Sequence, residues 1–295
     1  VSREAADSPL GRGRAIGWTV LYLLLGGGIA FGILAALMRL LPRVDPALLT
    51  TSPTAGAVLA QGLLLVIAFG LATWVIGIRA LRIPPASLGF PSMPAGIRGL
   101  GRGVLWGAIP ASAAMMLAVP AGGAYWRGDG GTAVAWSAIT LQTGGALLPA
   151  ALAEELIFRG LPLAVCGLAF GRPGAIVALA VLFAAGHAAN PGIGWLGALN
   201  IALAGVLLGV VFFLPGGLWT ATGAHLGWNL SLAALGAPVS GLPLPMPGLD
   251  YVVGAPRWLT GGGFGPEGGL LATLTLSGTI WFAARTLTHT KEREA

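Results

Sequence analysis

The sequence predicts an all-α polytopic membrane protein of about eight transmembrane helices, and three observations carry that prediction. Apolar residues make up 56% of the 295 and charged residues only 9%, with a mean hydropathy of +0.84. Several apolar stretches are long enough to cross a hydrocarbon layer of roughly 30 Å as helices. These stretches lack the alternation expected of the roughly ten-residue strands of an outer-membrane barrel. A helical bundle is then the architecture that satisfies the backbone polar groups in lipid.

The expected spans are Ile16–Met38, Ala55–Ile78, Leu100–Val119, Val134–Phe158, Gly174–Ala189, Trp195–Phe213, Gly217–Leu235 and Gly268–Leu287. The first is far longer than a signal-peptide core and ends in no small-residue cleavage pattern, so it is expected as a retained span. The 49 glycines fall in the spans as well as between them, where they let helix backbones approach closely. Apolar character in the fourth region runs on to Gly171, and a straight helix from Val134 would be about 56 Å long, too long for one crossing. A break is expected near Gly144-Gly145, Pro149 or Gly160-Leu-Pro162.

An even number of spans puts both termini on one side, and basic residues choose it. Eleven Lys and Arg fall on the terminal side, four on the other (Arg39, Arg43, Arg127 and Arg257), and Arg159 lies within the membrane or at its edge. Both termini are therefore expected in the cytoplasm, with the chain in the inner or plasma membrane. The domain reading is a cytoplasmic tail over 1–15, one transmembrane domain over 16–287 with a catalytic core at 134–235, an extracytoplasmic Pro/Gly-rich loop at 236–267, and a cytoplasmic tail over 288–295. His289 falls in that last tail as a solvated residue.

The formal charge of +6 is a topology signal, because the basic residues flank apolar segments and form no recognition helix or long basic tract; nucleic acid is not an expected partner. The sole cysteine, Cys166, excludes an intrachain disulfide and a thiolate metal cage. It is expected as apolar packing.

Polar residues inside such runs are costly and point to a site. Glu154 and Glu155 point about 100° apart on a helix. Glu155 and Arg159, four apart, can pair along one face, which leaves Glu154 free for a cavity. Phe183 precedes His187 by four residues, so the two share a face. His225 and Asn229 share a face by the same spacing and can bind one metal, orient one water or donate to one oxyanion.

These residues resemble the three signature blocks of the CAAX prenyl protease and bacteriocin-processing family, the Abi or CPBP membrane peptidases. The blocks here are Glu154-Glu155-x-x-x-Arg159, Phe183-x-x-x-His187 and His225-x-x-x-Asn229, on the expected spans four, five and seven. The resemblance implies an intramembrane endopeptidase acting on a membrane-associated or lipidated protein or peptide. Glu154 would activate water, His187 would assist it or share its coordination, and His225 with Asn229 would stabilise the oxyanion. Glu155, Arg159 and Phe183 would position the site. No cofactor is certain: Glu154, His187 and His225 include suitable zinc donors, but no His-Glu-x-x-His helix is present, so zinc-assisted and metal-free glutamate chemistry both stay open. Two other classes are carried alongside: a proton- or ion-coupled transporter, since intramembrane Glu and His can relay protons, and a non-catalytic scaffold or immunity protein.

Overall fold

The structure, a computed structural model, describes residues 11–41, 43, 45, 52 and 54–294. Expectations for the tail before residue 11, and for the side chains of the C-terminal tail from His289 on, lie outside the described residues. Helix α1 spans Arg12–Leu40 and α2 spans Ala55–Ala72, the latter started by Thr54, whose hydroxyl accepts from Ala57 N at 3.4 Å. A π-helical turn, Thr73–Ala80, prolongs α2. Helix α3 is Met93–Ala118 with a proline in its first turn, and α4 is Ala133–Phe158, capped by Thr132 accepting from Ala135 N at 3.2 Å. Each cap satisfies a donor that the first turn of a helix leaves free.

Helices α5 (Leu161–Gly186), α6 (Trp195–Val211) and α7 (Leu218–Ala234) follow. Helix α5 bends at Gly171, whose φ of 73° a side chain would resist. Strands β1 (Ala124–Gly128) and β2 (Leu249–Val253) then form an antiparallel ribbon that opposes Arg127 to Asp250. The short α8 (Arg257–Thr260) and the long α9 (Leu270–Glu294) complete the chain. The expected loop at 236–267 is thus a folded cover, with Val239, Met246, Tyr251 and Phe264 buried.

The protein is a multi-pass membrane protein, but the expected count of about eight spans is corrected. Five helical stretches among the described residues are long and apolar enough to cross: Arg12–Leu40, Ala55–Ala80, Pro85–Ala118, Ala133–Gly186 and Leu270–Thr288, with Trp195–Val211 a shorter apolar helix. Two physical reasons account for the difference. The fourth and fifth expected spans belong to one bent run, 133–186, broken at Gly160 and bent at Gly171. Helices α6 and α7 have 17 residues each, about 25 Å of rise, and α7 also carries Thr220, Thr222, His225, Asn229 and Ser231. The assignment of site residues to spans four, five and seven falls with that count; they lie on α4, on α5 and its C-terminal cap, and on α7.

Helices α3 and α7 form the closest seam in the bundle. Gly103, Val104 and Gly107 of α3 face Gly223, Ala224 and Gly227 of α7. A Cβ at Gly107 would overlap the Ala224 carbonyl oxygen and stand 2.6 Å from Trp228 N. Backbone-to-backbone contact of this kind supplies dispersion attraction where lipid gives helices little hydrophobic reason to associate. Because α7 carries His225 and Asn229, the seam also fixes one side of the polar cluster. Gly107→Val should therefore lower stability by about 3 kcal/mol or abolish folding, whereas Gly101→Val on the open face of the same helix, where a Cβ meets nothing within 4 Å, should leave the melting temperature nearly unchanged. Thermal unfolding in detergent checks the pair.

Candidate active site

The site grows from the end of α4. The N–H groups of Arg159 and Gly160 both donate to Glu155 O, at 2.8 and 3.0 Å, and Gly160 leaves helical geometry with ψ at −112°. Pro162 then starts α5 in its first turn, where a missing N–H costs nothing. Tyr22 of α1 donates its hydroxyl to Leu156 O at 2.9 Å, satisfying a carbonyl that the interrupted helix would strand. The sequence break is thus covered from α1, and the acidic pair is held at a helix end inside the bundle.

Glu155 and Arg159 are fully buried, at 0% and 1% exposure. Arg159 Nη1 lies 3.1 Å from Glu155 Oε1, and its Nη2 donates to Gly205 O on α6 at 3.1 Å. The guanidinium also lies over the Phe183 ring, 4.4 Å from its centroid, a cation–π contact strengthened by desolvation. Glu155 Oε1 is shared: it also lies 2.9 Å from His225 Nδ1 on α7. One carboxylate oxygen therefore joins α4, α5 and α6 through Arg159 to α7 through the imidazole. Phe183 packs edge-on to His225 and lies 4.6 Å, centroid to centroid, from His187.

His187 is the C-terminal cap of α5, and its Nδ1 lies 2.8 Å from Phe183 O. A carbonyl oxygen only accepts, so Nδ1 carries the proton. The carboxylate of Glu155 assigns the same tautomer to neutral His225. Both imidazoles then present Nε2 towards Glu154, whose Oε2 stands 3.7 Å from His187 Nε2 and 3.9 Å from His225 Nε2. Glu154 Oε2 is buried and has no hydrogen-bond partner among the described residues. Three acceptor atoms from three segments converge at separations that leave room for a bridging donor.

A cavity of about 30 Å³ is bordered by Phe183, His187, His225, Asn229, Ser240 and Glu267, room for about two waters. Asn229 stands at its wall one turn beyond His225. Glu154, on α4, does not border it but lies beside the two Nε2 atoms. All seven residues singled out from the sequence lie in this region; the structure adds Tyr22, Ser240 and Glu267. Glu267 is buried, and its Oε1 accepts from Trp228 Nε1 at 3.0 Å and from Ser240 Oγ at 3.3 Å. Its other oxygen accepts from Ser240 N. Burial pushes its carboxyl up, while the bonds from Ser240 and Trp228 pull the other way. In the sequence Glu267 stands just before an apolar helix, where an acid reads equally well as a partner for the helix dipole.

Residues 135–231, about a third of the chain, match the family described as type II CAAX prenyl endopeptidase Rce1-like. The match supports membership in the CAAX protease family, as the three motif blocks implied. It includes Glu154 to Asn229 and leaves Glu267 and Tyr22 outside. No curated protein and no solved structure matches the chain.

The shared oxygen makes Glu155 and Arg159 interdependent. Glu155→Gln and Arg159→Gln should each cost roughly 3–5 kcal/mol of stability by leaving a buried charge unpaired, and the double variant should cost clearly less than the two together. A double-mutant cycle on thermal unfolding measures the coupling; strictly additive losses would count against the ion pair.

Proposed function

We propose that the protein is an intramembrane endopeptidase that hydrolyses a peptide bond in a membrane-associated or lipidated protein. The observation that carries this reading is the convergence of Glu154 Oε2 with the two imidazole Nε2 atoms. A water molecule at that point directs its two protons at Glu154 Oε2 and His187 Nε2, which leaves a lone pair of its oxygen free for attack. Glu154 takes a proton as the oxygen adds to the scissile carbonyl carbon. His187, fixed by Phe183 O, assists in holding that water.

The carbonyl oxygen gains negative charge as the tetrahedral intermediate forms. His225 keeps its Nδ1–H on Glu155, takes up a second proton at Nε2 from solvent as substrate enters, donates that Nε2–H to this oxygen and returns the proton when product leaves; the Asn229 amide is a second donor. Collapse of the intermediate breaks the C–N bond, and the proton on Glu154 passes to the leaving nitrogen. Zinc is a further proposal: Glu154, His187 and His225 offer a carboxylate and two bare imidazole nitrogens, a fitting donor chemistry, although no three such groups among the described residues are clustered as a metal site. When bound, zinc would lower the pKa of a coordinated water. The steps above use only the chain's own residues.

A lipid-linked substrate suits the surroundings. An apolar groove of about 770 Å³ runs between α3 and α9, with Leu105, Trp106, Ile109, Leu274 and Phe282 along it. The same two helices contribute Gly107 and Leu276 to the inner cavity. A hydrocarbon chain in the groove would therefore lie one helix thickness from the imidazoles.

With a membrane-anchored peptide as substrate, Glu154→Gln should reduce kcat by about 10²–10⁴-fold without changing the melting temperature; turnover at the normal rate by that variant would overturn the base assignment. Asn229→Ala should lower kcat by about 10²-fold and leave KM nearly constant, which a steady-state comparison of the two parameters reads directly.

A further inference from the structure

Glu267 belongs to neither the motif blocks nor the matched segment, yet its side chain borders the same cavity as His187, His225 and Asn229. Its surroundings are over-determined. From α7 it receives the indole N–H of Trp228, the residue immediately before Asn229. From the cover it receives both the backbone N–H and the hydroxyl of Ser240. Its own backbone oxygen accepts from Asn200 Nδ2 on α6 at 2.7 Å, and Asn200 accepts in turn from Thr273 Oγ1 of α9 at 2.6 Å.

Ser240 is one of two non-glycine residues among those described with positive φ, at 50°. A side chain in that region costs on the order of 1 kcal/mol and persists where neighbours enforce it. Here the enforcing groups are Glu267 and Asn190, whose Nδ2 donates to Ser240 O at 3.0 Å. Asn190 is tied back to the site, since its N–H donates to His187 O at 3.0 Å. Two segments that supply the polar walls of the cavity, the His187 turn and the Trp228-Asn229 turn, thus meet at Ser240 and Glu267. The two N–H donors need only lone pairs on the carboxyl oxygens, so the arrangement holds whether or not Glu267 is ionised.

We propose that Glu267 is a positioning residue of the peptidase site, a latch that fixes Ser240 of the cover against α7 and thereby sets the place of Asn229 relative to His187. The proposal rests on the peptidase reading for its kinetic consequence and on geometry alone for its structural one. Glu267→Gln replaces an acceptor facing Ser240 N or the indole by a donor, so at least one of the three bonds is lost without a change of shape.

The test uses the full chain with Cys166→Ala, which removes its only native thiol, and Ser240→Cys as a reporter that keeps the backbone N–H. Maleimide labelling of that thiol should accelerate about five-fold or more on adding Glu267→Gln, as the cover loosens locally. In the chain with Ser240 intact, Glu267→Gln should lower kcat by about ten- to hundred-fold, the scale of an ångström-level misplacement, with KM changed by no more than about two-fold. Unchanged labelling together with unchanged kcat would overturn the proposal. If the Gln variant does not fold, Trp228→Phe, which deletes one donor and keeps an aromatic side chain, should lower kcat several-fold; full activity there would overturn it equally. A wild-type protein that cleaves no membrane-anchored peptide would sink the peptidase reading, and the labelling rates would still decide for or against the latch.

Discussion

The arrangement depends on one carboxylate oxygen, Glu155 Oε1, that serves a guanidinium and an imidazole at once. A buried charge pair gains little net stability, because desolvation consumes most of its attraction, but losing either partner is expensive. That asymmetry turns Glu155 into a geometric constraint: α4, α5, α6 and α7 keep their places because displacing any of them strands a charge. The interruption at Gly160 is what allows this. An uninterrupted helix would carry Arg159 onward with α4, whereas the break lets its side chain turn to Gly205 O and the Phe183 face.

Phe183 is the apolar counterpart of that oxygen. Its ring is the surface against which Arg159, His187 and His225 are all arranged, so a cation and two titratable rings share one aromatic neighbour. A flexible aliphatic residue would fill the volume but offer neither the quadrupole for the guanidinium nor a flat face for the imidazoles. The glycine seam between α3 and α7 supplies the remaining constraint by setting how deeply His225 is inserted.

Local spacing was legible in the chain and long-range partnership was not. The four-residue intervals Glu155/Arg159, Phe183/His187 and His225/Asn229 report helix faces directly, and each pair is found in the region they were expected to build. Nothing local says that Glu155 also reaches His225, seventy positions away, or that Arg159 needs Gly205. The span count went astray for a related reason: hydropathy windows register apolar length but not a bend, so the run 133–186 read as two crossings, and the polar 17-residue α7 read as a full one. Glu267 was hidden by its setting, a Pro/Gly-rich stretch whose composition suggests a connector while its fold buries Phe264 and Met246.

Glu154 differs from its neighbour in one respect. Its side chain is 33% exposed while its Oε2 is enclosed beside the imidazoles. The residue therefore straddles an enclosed compartment and an open one. A side chain so placed can change partners along its accessible edge while its enclosed oxygen keeps its place beside the two histidines. Exchange on the open side is thereby uncoupled from any opening of the enclosed one.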